Sequence, residues 1–170
     1  MSVSGHWYLI HTKPRQEAVA LENLERQGYR CFLPLMRREK VARGRLRLVD
    51  EPLFPRYLFI WLESSLHSQS WTPIRSTRGV TRLVTFGKEP ARVPAVLIEG
   101  IERQQEALAQ APQRVFAPGD GVLIVDGPFA GIEAIYQESD GERRVMVLIE
   151  LMNRQVKVPL EPGQLTPRPG

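Results

Sequence analysis

Leu53-Phe54-Pro55-Arg56-Tyr57-Leu58-Phe59-Ile60-Trp61-Leu62 is the most apolar run of the chain. It is rich in aromatics and too short for a long helix, so it reads as a central strand from Arg56 to Leu62 with Pro55 at its beginning. Strand alternation puts Tyr57, Phe59 and Trp61 on one face of a sheet and Leu58 and Ile60 on the other. Either one face builds a core while the other offers an aromatic patch, or both are core under helices.

Towards the N-terminus, Trp7-Tyr8-Leu9-Ile10-His11 has strand character. Thr12 and Pro14 then announce a helix with Pro in its first turn, and Ala18, Leu21 and Leu24 recur at helical spacing. Gly28 suits the left-handed position that ends a helix, and Tyr29 to Leu33 reads as a second strand closed by Pro34. The stretch from Arg37 to Arg47 carries six basic residues and a Gly turn between two arms that can pair as an exposed hairpin. A solvated face and a guide for DNA both fit it.

Towards the C-terminus, Leu66 to Arg75 reads as a short helix, Val80 to Phe86 as strand, and Gly87-Lys88 as a turn. From Pro94 a helix is expected, with Val96 or Leu97, Ile101 and Leu108 on its apolar face. Gln104 to Pro118 loses that pattern and reads as a linker. From Pro118 onwards, short apolar runs separated by Gly turns continue through Ile132 to Tyr136, Val145 to Leu151 and Gln155 to Leu160. Their spacing, roughly 8 to 12 residues, is that of a small all-β barrel.

The 170 residues suffice for one domain of about 100 residues and a small second one. The expected division is 1–100, a helix end and linker over 101–117, and 118–170. Hydrophobic residues make up 42% and charged residues 25%, which suits a folded rather than a disordered chain. No apolar run approaches the roughly 18 residues that span a bilayer. Met1 to His6 lacks the blocks of a signal peptide, so a cytoplasmic location without membrane contact is expected.

The net charge of +4 is unevenly spread. Residues 1–100 hold 16 Lys and Arg against 9 Asp and Glu, giving +7, and residues 101–170 hold 7 against 10, giving −3. A basic first half suits a polyanionic partner such as nucleic acid. The three histidines (His6, His11, His67) and the single Cys31 form no HExxH or CxxC set, and there is no P-loop, GxGxxG or GxSxG. The expectation is a protein that is not an enzyme and has no metal or cofactor. Cys31, between Arg30 and Phe32-Leu33, reads as a buried thiol.

Several blocks occur in the order found in the NusG superfamily: Trp7-Tyr8, Glu51-Pro52-Leu53-Phe54-Pro55-Arg56-Tyr57-Leu58-Phe59, Arg75-Ser76-Thr77-Arg78-Gly79-Val80, Phe86-Gly87, and Gly119-Asp120 through Gly131. The last resembles a KOW motif. Arg43-Gly44, the Glu51 to Pro55 block, Thr77 to Val80, Asp140-Gly141-Glu142 and Val147 to Met152 resemble the specialised RfaH-like branch. The implied fold is α+β: an N-terminal antiparallel sheet flanked by helices, a linker, and a C-terminal SH3-like β-barrel with a KOW motif. The alternative for the C-terminal part is an α-helical hairpin docked on the N-terminal domain.

The resemblance implies a transcription elongation factor that binds the clamp helices of RNA polymerase, suppresses pausing and termination at specific operons, and reaches the ribosome through its KOW domain. A monomer is expected. Polymerase attachment falls on Phe54, Tyr57 and Phe59. Contact with the non-template DNA strand falls on Lys13, Gln16, Thr77 and Arg78, with Trp71 either a stacking platform or a core residue of its helix. Here the chain departs from the enterobacterial pattern, with Ser70-Trp71-Thr72-Pro73 in place of a run of His and Thr. Glu51 and Arg144 align with the charged pair that latches the two domains. A general NusG-like factor and a KOW-type ribosomal RNA-binding protein are the competing readings.

Overall fold

The computed structural model describes residues 5–63, 71–110 and 131–157. In chain order the elements are β1 (Gly5–Thr12), α1 (Glu17–Arg26), β2 (Arg30–Phe32), β3 (Leu35–Ala42), β4 (Arg45–Pro52), β5 (Tyr57–Glu63) and α2 (Thr72–Arg75). They continue with β6 (Val80–Leu83), β7 (Thr85–Phe86), β8 (Glu89–Pro90), β9 (Arg92–Val93), α3 (Ala95–Gln110), α4 (Gly131–Gln137) and α5 (Gly141–Lys157). The chain divides into two compact units, one of residues 1–33 and 55–95, the other of residues 34–54 and 96–170. The class is α+β.

The first unit is an antiparallel sheet in the order β2-β5-β1-β6, with β9 also paired to β1. The expected central strand is β5, and β1 lies against it in a register that sets Trp7 opposite Trp61, Leu9 opposite Phe59 and His11 opposite Tyr57. Tyr8, Ile10, Leu58, Ile60 and Leu62 share the other face, where they join Ala20 and Leu24 of α1 and Ile74 of α2 in one buried cluster. Each fully buried Leu or Ile there contributes about 1.5–3 kcal/mol.

Helix α1 starts later than expected, at Glu17, leaving Pro14 in the turn before it. The reason is Arg15, whose φ of 63° is outside the helical region. Gly79 shows a second constraint. At φ 91°, a Cβ on it would lie 2.8 Å from the backbone nitrogen of Ala20, so the loop before β6 packs directly against α1.

The second unit holds the expected hairpin, longer than its basic core. Strands β3 and β4 pair from Leu35 with Pro52 to Ala42 with Arg45. The two-residue turn is Arg43-Gly44 with both φ positive (52° and 73°), a geometry that matches the twist of the paired strands. Helix α3 runs on to Gln110, which overturns the expected loss of helix after Gln104; buried Gln104 and half-buried Leu108 extend the inward face begun by Leu97 and Ile101.

The larger correction concerns residues 131–157. Ile132 to Tyr136 and Val145 to Leu151, expected as barrel strands, are the helices α4 and α5, and Gln155 belongs to α5. Ile132, Ile135 and Tyr136 are buried at helical spacing, as are Arg144, Leu148, Leu151 and Met152. Short apolar runs such as Val145 to Ile149 fit strand and helix alike, so the pattern alone did not decide. Asp140 supports the start of α5, its carboxylate accepting a hydrogen bond from the Glu142 N–H at 3.0 Å. The KOW-like block from Gly119 to Ala130, most of the expected linker, and the expected strand at 158–160 lie outside the described residues.

Packing of α4 depends on two glycines. A Cβ on Gly100 would come 2.9 Å from the Ile132 side chain, and one on Gly131 would come 2.5 Å from Leu151. Gln105 adds polar ties, exchanging hydrogen bonds with the Leu35 backbone (2.8 and 3.3 Å) and donating to the Tyr136 hydroxyl at 2.7 Å. Burial raises the pKa of that phenol, so it stays protonated. Among the described residues no helix is long and apolar enough to cross a membrane.

Candidate functional site

The β1–β5 register gathers Trp7, Leu9, His11, Tyr57, Phe59 and Trp61 on the sheet face opposite the helices, and β2 adds Arg30 and Phe32. The face is built from ring contacts. His11 and Tyr57 lie 4.9 Å apart between centroids, Phe32 stacks on Phe59 at 5.9 Å, and Trp7 meets Trp61 edge-on at 5.7 Å. The Arg30 guanidinium lies over both indoles, 5.2 Å from Trp7 and 5.9 Å from Trp61, a cation–π arrangement that keeps a charge beside an aromatic patch. Of the three expected attachment residues, Tyr57 alone retains exposed surface. Phe59 is fully buried and Phe54 is 1% exposed, so neither is accessible in this state.

A second group forms where three loops of the first unit meet. The Thr12 N–H donates to the Arg56 carbonyl at 2.8 Å and the Lys13 N–H to the Gly79 carbonyl at 2.9 Å, tying the β1–α1 loop to the entries of β5 and β6. Lys13 and Arg78 are exposed there and Gln16 is half-buried, as nucleic-acid contact would require. Thr77 is different. It is buried, its hydroxyl donates to the Pro73 carbonyl at 2.7 Å, and it accepts from the Gln27 amide at 2.7 Å. Its hydroxyl proton and one lone pair are thus engaged internally, beneath the exposed Arg78 that follows it in the chain. Trp71 is likewise partly committed, packing on the core cluster with its ring 5.2 Å from that of Tyr8.

The sequence reading passed over Arg15, Arg56 and Glu17. Both arginines are exposed and have positive φ (63° and 72°), and the buried Glu17 carboxylate accepts the Arg56 N–H at 2.8 Å. Nothing in the local sequence announces a left-handed Arg; at Arg56 the hydrogen bond to Glu17, 39 residues away, helps to hold the conformation. The Arg56 and Arg82 charges, after burial, hold His11 below its ordinary pKa.

Within the second unit, Arg144 is 1% exposed. Its Nε–H donates to the Leu53 carbonyl at 2.7 Å and Nη1 to the Glu138 carbonyl at 2.8 Å. Nη2 lies 3.7 Å from Glu51 Oε1, which also receives Arg38 Nη1 at 3.2 Å. Burial lowers the Arg144 pKa and the Glu51 carboxylate opposes that shift. The expected pair is thus brought together, with two backbone carbonyls as the nearer partners.

The profile of a family described as transcription termination factor nusG matches residues 5–102, from β1 into α3. The chain belongs to the NusG family. It is 31% identical over 183 residues to the transcription termination/antitermination protein NusG of Thermus thermophilus, covering 96% of this chain and 98% of that one. The Bacillus subtilis protein of the same description is 25% identical over 173 residues, covering 94% and 97%. A solved structure described as domain interaction in Thermotoga maritima NusG is similar over 69% of this chain and 67% of that one, with a TM-score of 0.45 and 20% identity. The NusG-family match takes in the whole aromatic face and the three-loop cluster, and stops before α4 and α5.

Proposed function

We propose that the chain is a transcription elongation factor that binds RNA polymerase and suppresses pausing and termination. Its relatives are described as termination/antitermination proteins, and the observation that carries the reading is the aromatic sheet face inside the family match. A patch of this kind supplies the anchors that dominate protein interfaces. Tyr57 and Phe59, with Phe54, attach the protein to the polymerase clamp helices. Lys13, Gln16 and Arg78 contact the non-template DNA strand, with Thr77 behind them and Trp71 contributing what remains exposed of its ring. Residues 1–100 form the polymerase-binding domain and 118–170 the KOW domain, which recruits the ribosome when it is released as a barrel.

Within the family we propose the specialised RfaH-like branch. What supports it is the helical state of residues 131–157 and the buried Arg144 beside Glu51, the features expected of a tail held in a latched form. Mapping the protein along the genome tests this branch. A specialised factor occupies few loci, whereas occupancy following polymerase across nearly all transcribed genes assigns the general role.

A further inference from the structure

The strand registers put a cation at each end of the aromatic face of the first unit. At one end a single row runs Arg30, Trp61, Trp7, Val93 across β2, β5, β1 and β9. At the other end the row is Tyr57, His11, Arg82 across β5, β1 and β6. Directly paired residues of an antiparallel ladder share one face. Cys31 and Leu83, which follow Arg30 and Arg82 in the chain, pack against the core cluster on the opposite side. Both arginines are exposed, and among the described residues neither has an ion-pair partner. Exposed Arg56, beside Tyr57 in the chain, adds a charge at the second end, where it and Arg82 both act on His11. Among the paired residues of these strands, the one acid on this face is Glu63, two positions beyond Trp61 and opposite Gly5.

An aromatic centre with charged ends is the anatomy of a protein interface, and charges of one sign there select a partner of the other sign. Arg30 is held in place before any partner arrives, its guanidinium lying over both indoles at 5.2 and 5.9 Å. Trp7 and His11 stand four residues apart on β1, which sets the two rows about 13 Å apart. A helix laid along the strand covers that distance in about nine residues, so same-face positions about seven or eleven apart come beside the two cations. We infer that Arg30 and Arg82 are specificity-determining residues of the attachment face, and that the polymerase helix it takes carries carboxylates at about that spacing on either side of an apolar stripe. The inference rests on the attachment reading above and adds to it the chemistry of the partner.

The test is retention of the labelled full chain on elongation complexes of purified bacterial RNA polymerase across a salt series. R30Q and R82Q should each weaken retention about two- to fivefold at low salt and less at high salt, and R82K should keep it. R30E/R82E should lose about tenfold or more, and part of that loss should return with a polymerase in which one Asp or Glu of the clamp helices is replaced by Lys. Circular dichroism establishes that each variant is folded, and the Arg82 series carries the test if the Arg30 variants are not. Tyr57→Ala, an aromatic anchor lost, should weaken retention at every salt concentration and so keeps the two readings apart. A loss with Tyr57→Ala but none with the arginine variants overturns the inference and leaves the attachment reading standing, whereas a wild type that is not retained overturns both. Arginine losses that no acid-to-Lys replacement repairs also overturn the inference, because the two cations would then face nucleic acid.

Discussion

Arg144 donates its Nε–H to the carbonyl of Leu53 at 2.7 Å, a bond between a buried guanidinium on α5 and the backbone just beyond β4. The bond holds a helix to a segment 91 residues earlier, and it is shorter than the 3.7 Å approach of Arg144 to Glu51. A hydrogen bond from a charged group contributes about 1.5–3 kcal/mol, and Arg144→Ala removes two of them together with the Glu51 contact, whereas Glu51→Gln leaves both in place. Arg144→Ala should therefore loosen α4 and α5 far more than Glu51→Gln. Amide hydrogen exchange of residues 131–157 measures this: strong loss of protection is expected for the first variant and slight loss for the second. Equal losses would return the main role to the Glu51 pair.

At the three-loop cluster, Thr77 and Arg78 are adjacent but should respond differently. Thr77→Val removes two internal hydrogen bonds, each contributing about 0.5–1.5 kcal/mol to stability. Arg78→Ala should leave the urea midpoint unchanged and weaken selective recruitment to a paused elongation complex by about 1–3 kcal/mol, as loss of a bidentate base contact does. If Thr77→Val alone reduced recruitment, with no change in stability, Thr77 would itself be a contact residue.

His11 gives the sheet a pH dependence. Burial, then Arg56 and Arg82, lower its folded-state pKa from 6.5, so below that value the unfolded chain takes up the proton first. The corresponding stability is present above 6.5 and is lost as the pH falls towards the folded-state value. Urea midpoints between about pH 7.5 and about pH 5 should fall less steeply for His11→Gln than for the wild type. Parallel slopes would remove His11 from the account.

Cys31, half-buried in β2, has its pKa pushed up to about 12 by burial and then by Glu25. Its thiolate fraction near neutral pH is therefore minute, and iodoacetamide should modify it far more slowly in the folded than in the urea-unfolded chain. Comparable rates would mean that the thiol is open to solvent.

The sequence was most informative where pattern and turn chemistry agreed. Strand β5 and its two faces followed from alternation between Tyr57 and Leu62, and the β3–β4 hairpin followed from Arg43-Gly44 between matched arms. It was least informative where distant contacts decided. Thr77 looked like a surface hydroxyl until Gln27 and Pro73 took up its hydrogen bonds, and Arg15 and Arg56 carried no sign of their positive φ. Residues 131–157 illustrate the limit most clearly. Val145 to Leu151 fits the pleat of a barrel as well as the face of a helix, and the choice depends on partners such as the Leu53 carbonyl, which local pattern does not contain.

Tyr57 carries the central claim, because it is the attachment residue that keeps exposed surface. The direct measurement is the dwell time of purified bacterial RNA polymerase at a defined pause, with and without this protein, beside retention of the protein on the elongation complex. The wild type should be retained and shorten the dwell. Tyr57→Ala should remain folded, lose retention and leave the dwell long, and adding Phe59→Ala should deepen the loss of retention while costing about 3–5 kcal/mol of stability, since Phe59 is fully buried. A wild-type protein that neither binds the complex nor changes the dwell, or a double variant retained as well as the wild type, would contradict the account.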